Sequence, residues 1–126
     1  MTLQRALDLA AAAQGRAYPK PTVGAVIVHE GDVVGEGVTE AAGRHAETVA
    51  LEAVGACAHG ATMYVTLEPC AHIGSTPSCA DAVIAAGVER VVIGSLDPNP
   101  QAAGGADKLR SAGVDVEVAD WFEARV

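Results

Sequence analysis

Apolar residues recur in the first segment at Leu3, Ala6, Leu7, Ala10 and Ala11, the i, i+3, i+4 rhythm of a helix that buries one face. That rhythm predicts a helix over 2–14. Gly15 and Pro19-Lys20-Pro21 end it, because proline lacks the N–H that a helix or central strand would use. The pattern then changes. Val23–His29 is rich in β-branched residues, Glu30-Gly31-Asp32 turns the chain, and Val33–Gly37 runs back, which predicts a hairpin. After Gly43, a second helix is expected over His45–Val54, with Val49, Leu51 and Val54 as its buried positions. Thr62–Leu67 reads as a strand stopped by Pro69. A third helix begins near Ser78 and ends at Gly87, where glycine suits the position just past a helix. Glu89–Ile93 is the next strand, and Asp97-Pro98-Asn99-Pro100 is a turn. Gln101–Ala112 forms a fourth helix stopped by Gly113, Val114–Val118 a last strand, and the tail adds a turn or two of helix.

A hairpin followed by alternating strands and helices implies an α/β fold. The expected architecture is a three-layer α/β/α sandwich around a mixed five-stranded sheet whose later strands are parallel. Strand order does not follow from the pattern.

With 126 residues, positions 1–126 are expected to form a single domain. Half the residues are apolar and the mean hydropathy is +0.26, which excludes a disordered chain. No apolar run reaches the ~18–20 residues that span a bilayer, and the N-terminus lacks the basic-then-apolar layout of a signal peptide. A cytoplasmic protein without a membrane partner is the expectation. Eight basic against sixteen acidic residues give a net charge of −8. Phosphate backbones are bound by neutralising them, so this balance argues against nucleic acid as partner. Lys20, Arg44 and Lys108 are scattered rather than clustered. A small molecule is the expected ligand.

Cys57, Cys70 and Cys79 make an odd count, which does not read as a disulfide framework. Metal chemistry fits better, because His45-Ala46-Glu47 stands at the start of the second helix and Pro69-Cys70 follows a strand. Cys79, nine positions on, starts the third helix. One imidazole and two thiolates suit Zn²⁺, with a fourth position left for water. Helix N-termini favour thiolate and developing negative charge. Glu47 lies about 200° from His45 on an ideal helix, a separation that a first turn can relax. Its expected work is proton shuttling, from a water that zinc has acidified toward pKa ~7 to the ring and the leaving amine. His-Ala-Glu alone is a common pattern, and two cysteines alone usually mark packing. Together they form the His-x-Glu, Pro-Cys, Cys pattern of zinc-dependent hydrolytic deaminases. A structural zinc site, with Cys57 or His72 as a fourth ligand, stays open beside it. Cys57 otherwise reads as a free thiol, and His29 and His59 as solvated.

The segments Val23–Val28, Gly35-Glu36-Gly37, His45-Ala46-Glu47 and Tyr64–Cys70 resemble the cytidine-deaminase superfamily. The run Cys70-Ala71-His72-Ile73-Gly74-Ser75-Thr76-Pro77-Ser78-Cys79 and Asp97-Pro98-Asn99-Pro100 resemble its riboflavin-biosynthesis branch, which separates its cysteines by eight residues instead of two. The resemblance runs over nearly all of 3–118. It implies a cytidine-deaminase-like fold, with His45, Cys70 and Cys79 holding zinc and Glu47 moving protons. The backbone at Ala46 and Leu67 would hold the ring and the departing amine, with His72, Asp97 and Asn99 at the mouth. It also implies a homodimer or larger homo-oligomer. The branch often carries a reductase domain as well; here only the deaminase is expected.

Three positions depart from the branch. Lys20 precedes Pro21 where Asn is usual, Thr39 stands where His or Asn touches substrate, and Ser75 replaces a Lys or Arg suited to phosphate. Losing that cation removes a charge-assisted contact of roughly 1.5–3 kcal/mol, although Lys20 offers a charge from another direction. The expected activity is hydrolysis of an exocyclic amine on a pyrimidine- or purine-type heterocycle, releasing ammonia. These departures favour a small free nucleobase or analogue as substrate. The alternative is the phosphoribosylaminopyrimidine precursor of riboflavin; a non-catalytic zinc-stabilised binding module is the rival of another class. Deamination of tRNA fits neither the charge nor the cysteine spacing.

Overall fold

The computed structural model describes residues 2–12, 23–39, 45–69, 78–94 and 104–119. In chain order the elements are α1 (Thr2–Ala12), β1 (Gly24–His29), β2 (Asp32–Val38), α2 (Ala46–Val54), β3 (Thr62–Val65), α3 (Cys79–Ala85), β4 (Arg90–Ile93), α4 (Gly105–Ser111) and β5 (Asp115–Val118). A 3-10 turn over Gly55–Ala58, which the sequence pattern does not announce, extends the end of α2. The strands form one sheet in the order β2-β1-β3-β4-β5. β1 is antiparallel to both β2 and β3, whereas β3, β4 and β5 run parallel. The expected mixed sheet is therefore present.

The β1–β2 hairpin closes at Glu30 and Gly31, both with positive φ (52° and 84°), and His29 faces Asp32. Two such residues between paired strands make the turn that matches the strands' own twist. Asp32 accordingly belongs to β2 rather than to the turn. β3 is shorter than expected and ends at Val65, because Thr66 and Leu67 bend away. Of the fourth helix, the described part begins at Gly105; the expected start at Gln101 and the tail around Trp121-Phe122 lie outside the described residues.

Strand alternation sorts the core. Ala25, Ile27, Met63, Val65, Val91 and Ile93 are buried on one face, against α2, α3 and α4. Both parallel connections, through α3 and α4, return on this side, as crossovers of one hand require. Tyr64 and Val92 alternate to the opposite face and meet Leu7 of α1. Three layers result.

One expectation about α2 does not hold. Its fully buried side chains are Ala46, Glu47 and Ala50, while Val49, Leu51 and Val54 are half-buried. The cause lies opposite, on β2. A Cβ at Gly37 would stand 2.4 Å from the Ala46 carbonyl oxygen and 2.6 Å from the Ala50 nitrogen; one at Gly35 would stand 2.1 Å from Val54 Cγ1. At Gly37 helix and strand touch backbone to backbone, and at Gly35 the Val54 side chain lies against the bare strand, so neither strand position has room for a side chain.

α1 is tied to β2 by Arg5, whose guanidinium donates to both Glu36 carboxylate oxygens at 2.5 and 3.0 Å. This hydrogen bond, reinforced by charge, holds the Glu36 carboxyl below its ordinary value of 4.5. A lowered folded pKa contributes stability that is complete above the ordinary value and lost as pH falls through the folded one. The stability difference between the native protein and Arg5→Ala should therefore be modest at pH 7 and vanish in acid. Urea midpoints measured from pH 7 down to pH 3 check it; a constant gap would show that Arg5 acts by packing.

Candidate metal centre

The site is built where α2 and α3 begin. His45 is the residue before the first turn of α2, with extended backbone (φ −75°, ψ 149°), and its side chain does not cap the helix. Instead, His45 Nδ1 lies 2.9 Å from Sγ of Cys79, the first residue of α3. An imidazole nitrogen and a sulfur thus converge from residues 34 apart in the chain. Two such donors on one tetrahedral zinc stand roughly 3.5 Å apart, given Zn–N near 2.0–2.1 Å and Zn–S near 2.3 Å. At 2.9 Å the pair stands inside that spacing, at hydrogen-bond distance, and its chemistry, one borderline and one soft donor, fits the ion. Cys70, the expected third ligand, lies outside the described residues. Among the described residues, no group of three His, Cys, Asp or Glu side chains gathers around one point.

Glu47 sits in the first turn of α2 and is only 4% exposed. A carboxylate there is favoured by the helix N-terminus. Ala46, between the two, is fully buried, and its carbonyl faces Gly37. The close α2–β2 seam therefore fixes the height of His45 and Glu47 above the sheet.

Cys57 is exposed in the 3-10 turn beyond the far end of α2. With a rise near 1.5 Å per residue, it is on the order of 15 Å along the axis from His45. That distance removes Cys57 as a fourth ligand and leaves it a free thiol. Of the other histidines among the described residues, His29 is half-buried, and exposed His59 lies over Gly87, where a Cβ would stand 2.6 Å from its Cδ2.

The carboxyl end of β3 brings up the other wall. Thr66 is buried; its Oγ1 accepts the Gly24 N–H at 3.2 Å, and its own N–H donates to the Gly24 carbonyl. Thr39 makes the matching clamp one residue earlier: its Oγ1 accepts the Val23 N–H at 2.9 Å, and its N–H donates to the Val23 carbonyl at 3.0 Å. The hydroxyl expected to touch substrate is here engaged with the backbone, closing the end of the β1–β2 ladder. Leu67 is half-buried in the bend that follows, and Glu68 and Pro69 are buried. Lys20, His72, Ser75, Asp97 and Asn99 lie outside the described residues.

Two groups of residues escape the sequence reading. Ser78 caps α3, its Oγ accepting the Asp81 N–H at 3.1 Å and donating to Asp81 Oδ2 at 2.9 Å. Lys108 Nζ donates to the same Asp81 oxygen at 2.9 Å. Lys108 first, and Ser78 second, hold the Asp81 carboxyl below its ordinary range. The Ser-x-x-Asp spacing is a capping signal legible in the sequence; the lysine, 27 positions on, is not. Glu68 is the other omission. Its Oε2 accepts the Ala106 N–H at 2.9 Å in the first turn of α4.

The family model for the cytidine and deoxycytidylate deaminase zinc-binding region matches residues 1–95. The riboflavin biosynthesis protein RibD of Aquifex aeolicus is 54% identical over 118 residues, covering 92% of this chain and 33% of that protein. The diaminohydroxyphosphoribosylamino-pyrimidine deaminase of Buchnera aphidicola is 45% identical over 118 residues, covering 92% of this chain and 80% of the relative. Among solved structures, the diaminohydroxyphosphoribosylaminopyrimidine deaminase/5-amino-6-(5-phosphoribosylamino)uracil reductase of Thermotoga maritima superimposes with a TM-score of 0.89. It is 40% identical, over 98% of this chain and 37% of that one. The chain thus spans about a third of the RibD relatives. The sheet and its helices have the cytidine-deaminase-like fold.

The seam beneath the site gives a direct test. Gly37→Ala pushes a methyl group against helix backbone that has no rotamer to yield, at a cost of about 1–3 kcal/mol. Zinc content of the purified protein should fall together with the denaturation midpoint. Both are measurable on one preparation, by metal analysis and urea titration, and an unchanged zinc content would separate the seam from the site.

Proposed function

The chain belongs to the cytidine and deoxycytidylate deaminase family and is a zinc-dependent hydrolytic deaminase, and on that premise we propose that its substrate is the phosphoribosylaminopyrimidine precursor of riboflavin. The observation that carries this reading is the near-half identity, sustained over 118 residues, to a deaminase of that compound that is itself mostly spanned by the match. The free-nucleobase reading, favoured by Lys20, Thr39 and Ser75, loses ground. Those departures are three positions against a likeness that runs the length of the domain, and Thr39 spends its hydroxyl on Val23. We propose residues 1–126 as one deaminase domain, working as a homo-oligomer.

In this reading His45, Cys70 and Cys79 hold the metal. Zinc, when bound, supplies Lewis acidity that makes water a competent nucleophile near neutral pH. The chain's own residues do the rest. Buried Glu47 accepts the water's proton and returns protons to the ring nitrogen and the departing amine, so that one C–O bond forms, one C–N bond breaks and ammonia leaves. Its burial keeps the carboxylate in a low-dielectric wall, where moving a proton changes its interactions most. The backbone at Ala46 and Leu67 orients the ring, and His72, Asp97 and Asn99 line the mouth. Lys20 and Ser75 meet the ribose phosphate, with the lysine replacing the cation that the branch carries at position 75.

Ammonia release by the zinc-loaded protein is the decisive assay. Turnover is expected on the phosphoribosylaminopyrimidine and not on cytosine, guanine or their analogues; turnover of free bases alone would overturn the substrate assignment. Lys20→Ala should raise KM on the phosphorylated compound while leaving kcat close to native. Glu47→Gln should keep fold and zinc yet lose ammonia release by roughly two to four orders of magnitude, the span general acid–base catalysis commands. A Glu47→Gln protein with native turnover would sink the proton-shuttle role.

A further inference from the structure

Each cysteine proposed as a ligand lies two residues from an acidic side chain, Glu68 before Cys70 and Asp81 after Cys79. Both acids bond to the same short helix. Glu68, 6% exposed, accepts the Ala106 N–H at 2.9 Å, and Asp81 accepts from Lys108 Nζ at 2.9 Å. A further contact seats α4 against the first of these segments: a Cβ at Gly105 would stand 1.6 Å from the Pro69 carbonyl oxygen and 2.8 Å from its carbon. The helix therefore lies directly on the backbone that leads into Cys70. On its other side Asp81 is locked to the cap of α3 through Ser78, whose neighbour is Cys79. Leu109, fully buried in the main core, fixes α4 in place between the two links.

From this arrangement we infer that α4 is a positioning brace for the metal site, with Glu68 and Lys108 setting the separation of the two cysteine-bearing segments. The inference rests on reading Cys70 and Cys79 as zinc ligands. Ligands on two separate segments of the chain have no covalent reason to stay at one spacing; the bonds to α4 supply one. Removing outer partners that orient metal ligands directly commonly weakens metal binding by about 10–100-fold; Glu68 and Lys108 act one step further out, through the segments that carry the ligands.

The test measures zinc affinity of the full chain by competition with a chromogenic chelator, alongside the urea midpoint of the apo protein. Lys108→Met and Glu68→Ala should each raise the zinc Kd by up to roughly tenfold, the low end of what direct partners of a ligand give. Lys108→Arg and Glu68→Gln, which keep a donor to Asp81 and an acceptor for Ala106, should restore most of that loss. A lower apo midpoint with native zinc Kd in both Met and Ala variants would reduce α4 to ordinary packing and overturn the inference. Lys108 is part-exposed, so its variants remain informative should Glu68→Ala fail to fold. Cys79→Ser separates the two readings. If it binds zinc as tightly as the native chain, the ligand assignment itself fails; if it loses zinc while the brace variants do not, only the brace fails.

Discussion

The contact on which the rest depends is the one between α2 and β2. Gly37 and Gly35 carry no side chain, Ala46 and Ala50 carry one carbon each, and the helix settles onto the strand at backbone distance. This sets where α2 begins, and hence where the His45 imidazole and the Glu47 carboxylate stand. Cys79 then arrives from the opposite direction because the β3–α3–β4 crossover lies on the same face of the sheet. The meeting of His45 and Cys79 is a product of topology and of two glycines.

Around this seam the fold repeats one device, in which a buried polar side chain satisfies the backbone of a neighbouring segment. Thr39 does so for Val23, Thr66 for Gly24, Ser78 for Asp81 and Glu68 for Ala106. Each of these bonds falls at the end of a strand or the start of a helix, where main-chain groups lack ladder partners. The rim of the sheet is thereby tied at the end that holds the chemistry. Among the described residues no helix is long and apolar enough to cross a membrane.

Much of this was legible in the sequence, and the exceptions have a common cause. Periodicity of 2 and 3.6, with glycine and proline as punctuation, located all nine elements to within a few residues. The spacing of His45, Glu47, Cys70 and Cys79 named the metal and the reaction. What periodicity misjudged was α2, where Val49, Leu51 and Val54 look like the core and Ala46 and Ala50 are. Side-chain size predicts burial only if the partner leaves room, and the partner, Gly35-Glu36-Gly37, is distant in the pattern though adjacent in space. Glu68 and Lys108 escaped for the same reason: their partners are 38 and 27 residues away. The Val23 bond of the Thr39 hydroxyl escaped for that reason too, since its partner is 16 residues away.

The glycine and alanine seam also limits how this protein can vary. At Gly35 and Gly37 no smaller residue exists, and at Ala46 and Ala50 only glycine is smaller, at the expense of helix propensity. Mutation along this line can therefore move the two elements in one direction only, apart. Elsewhere in a core, a larger residue on one side can be answered by a smaller one across from it; at Gly37 the atoms across are the Ala46 carbonyl oxygen and the Ala50 nitrogen, which no substitution removes. The separation of α2 from the sheet is a lower bound already reached, so drift in sequence cannot refine it and can only widen it. Changes of substrate preference are left to residues that the seam does not touch.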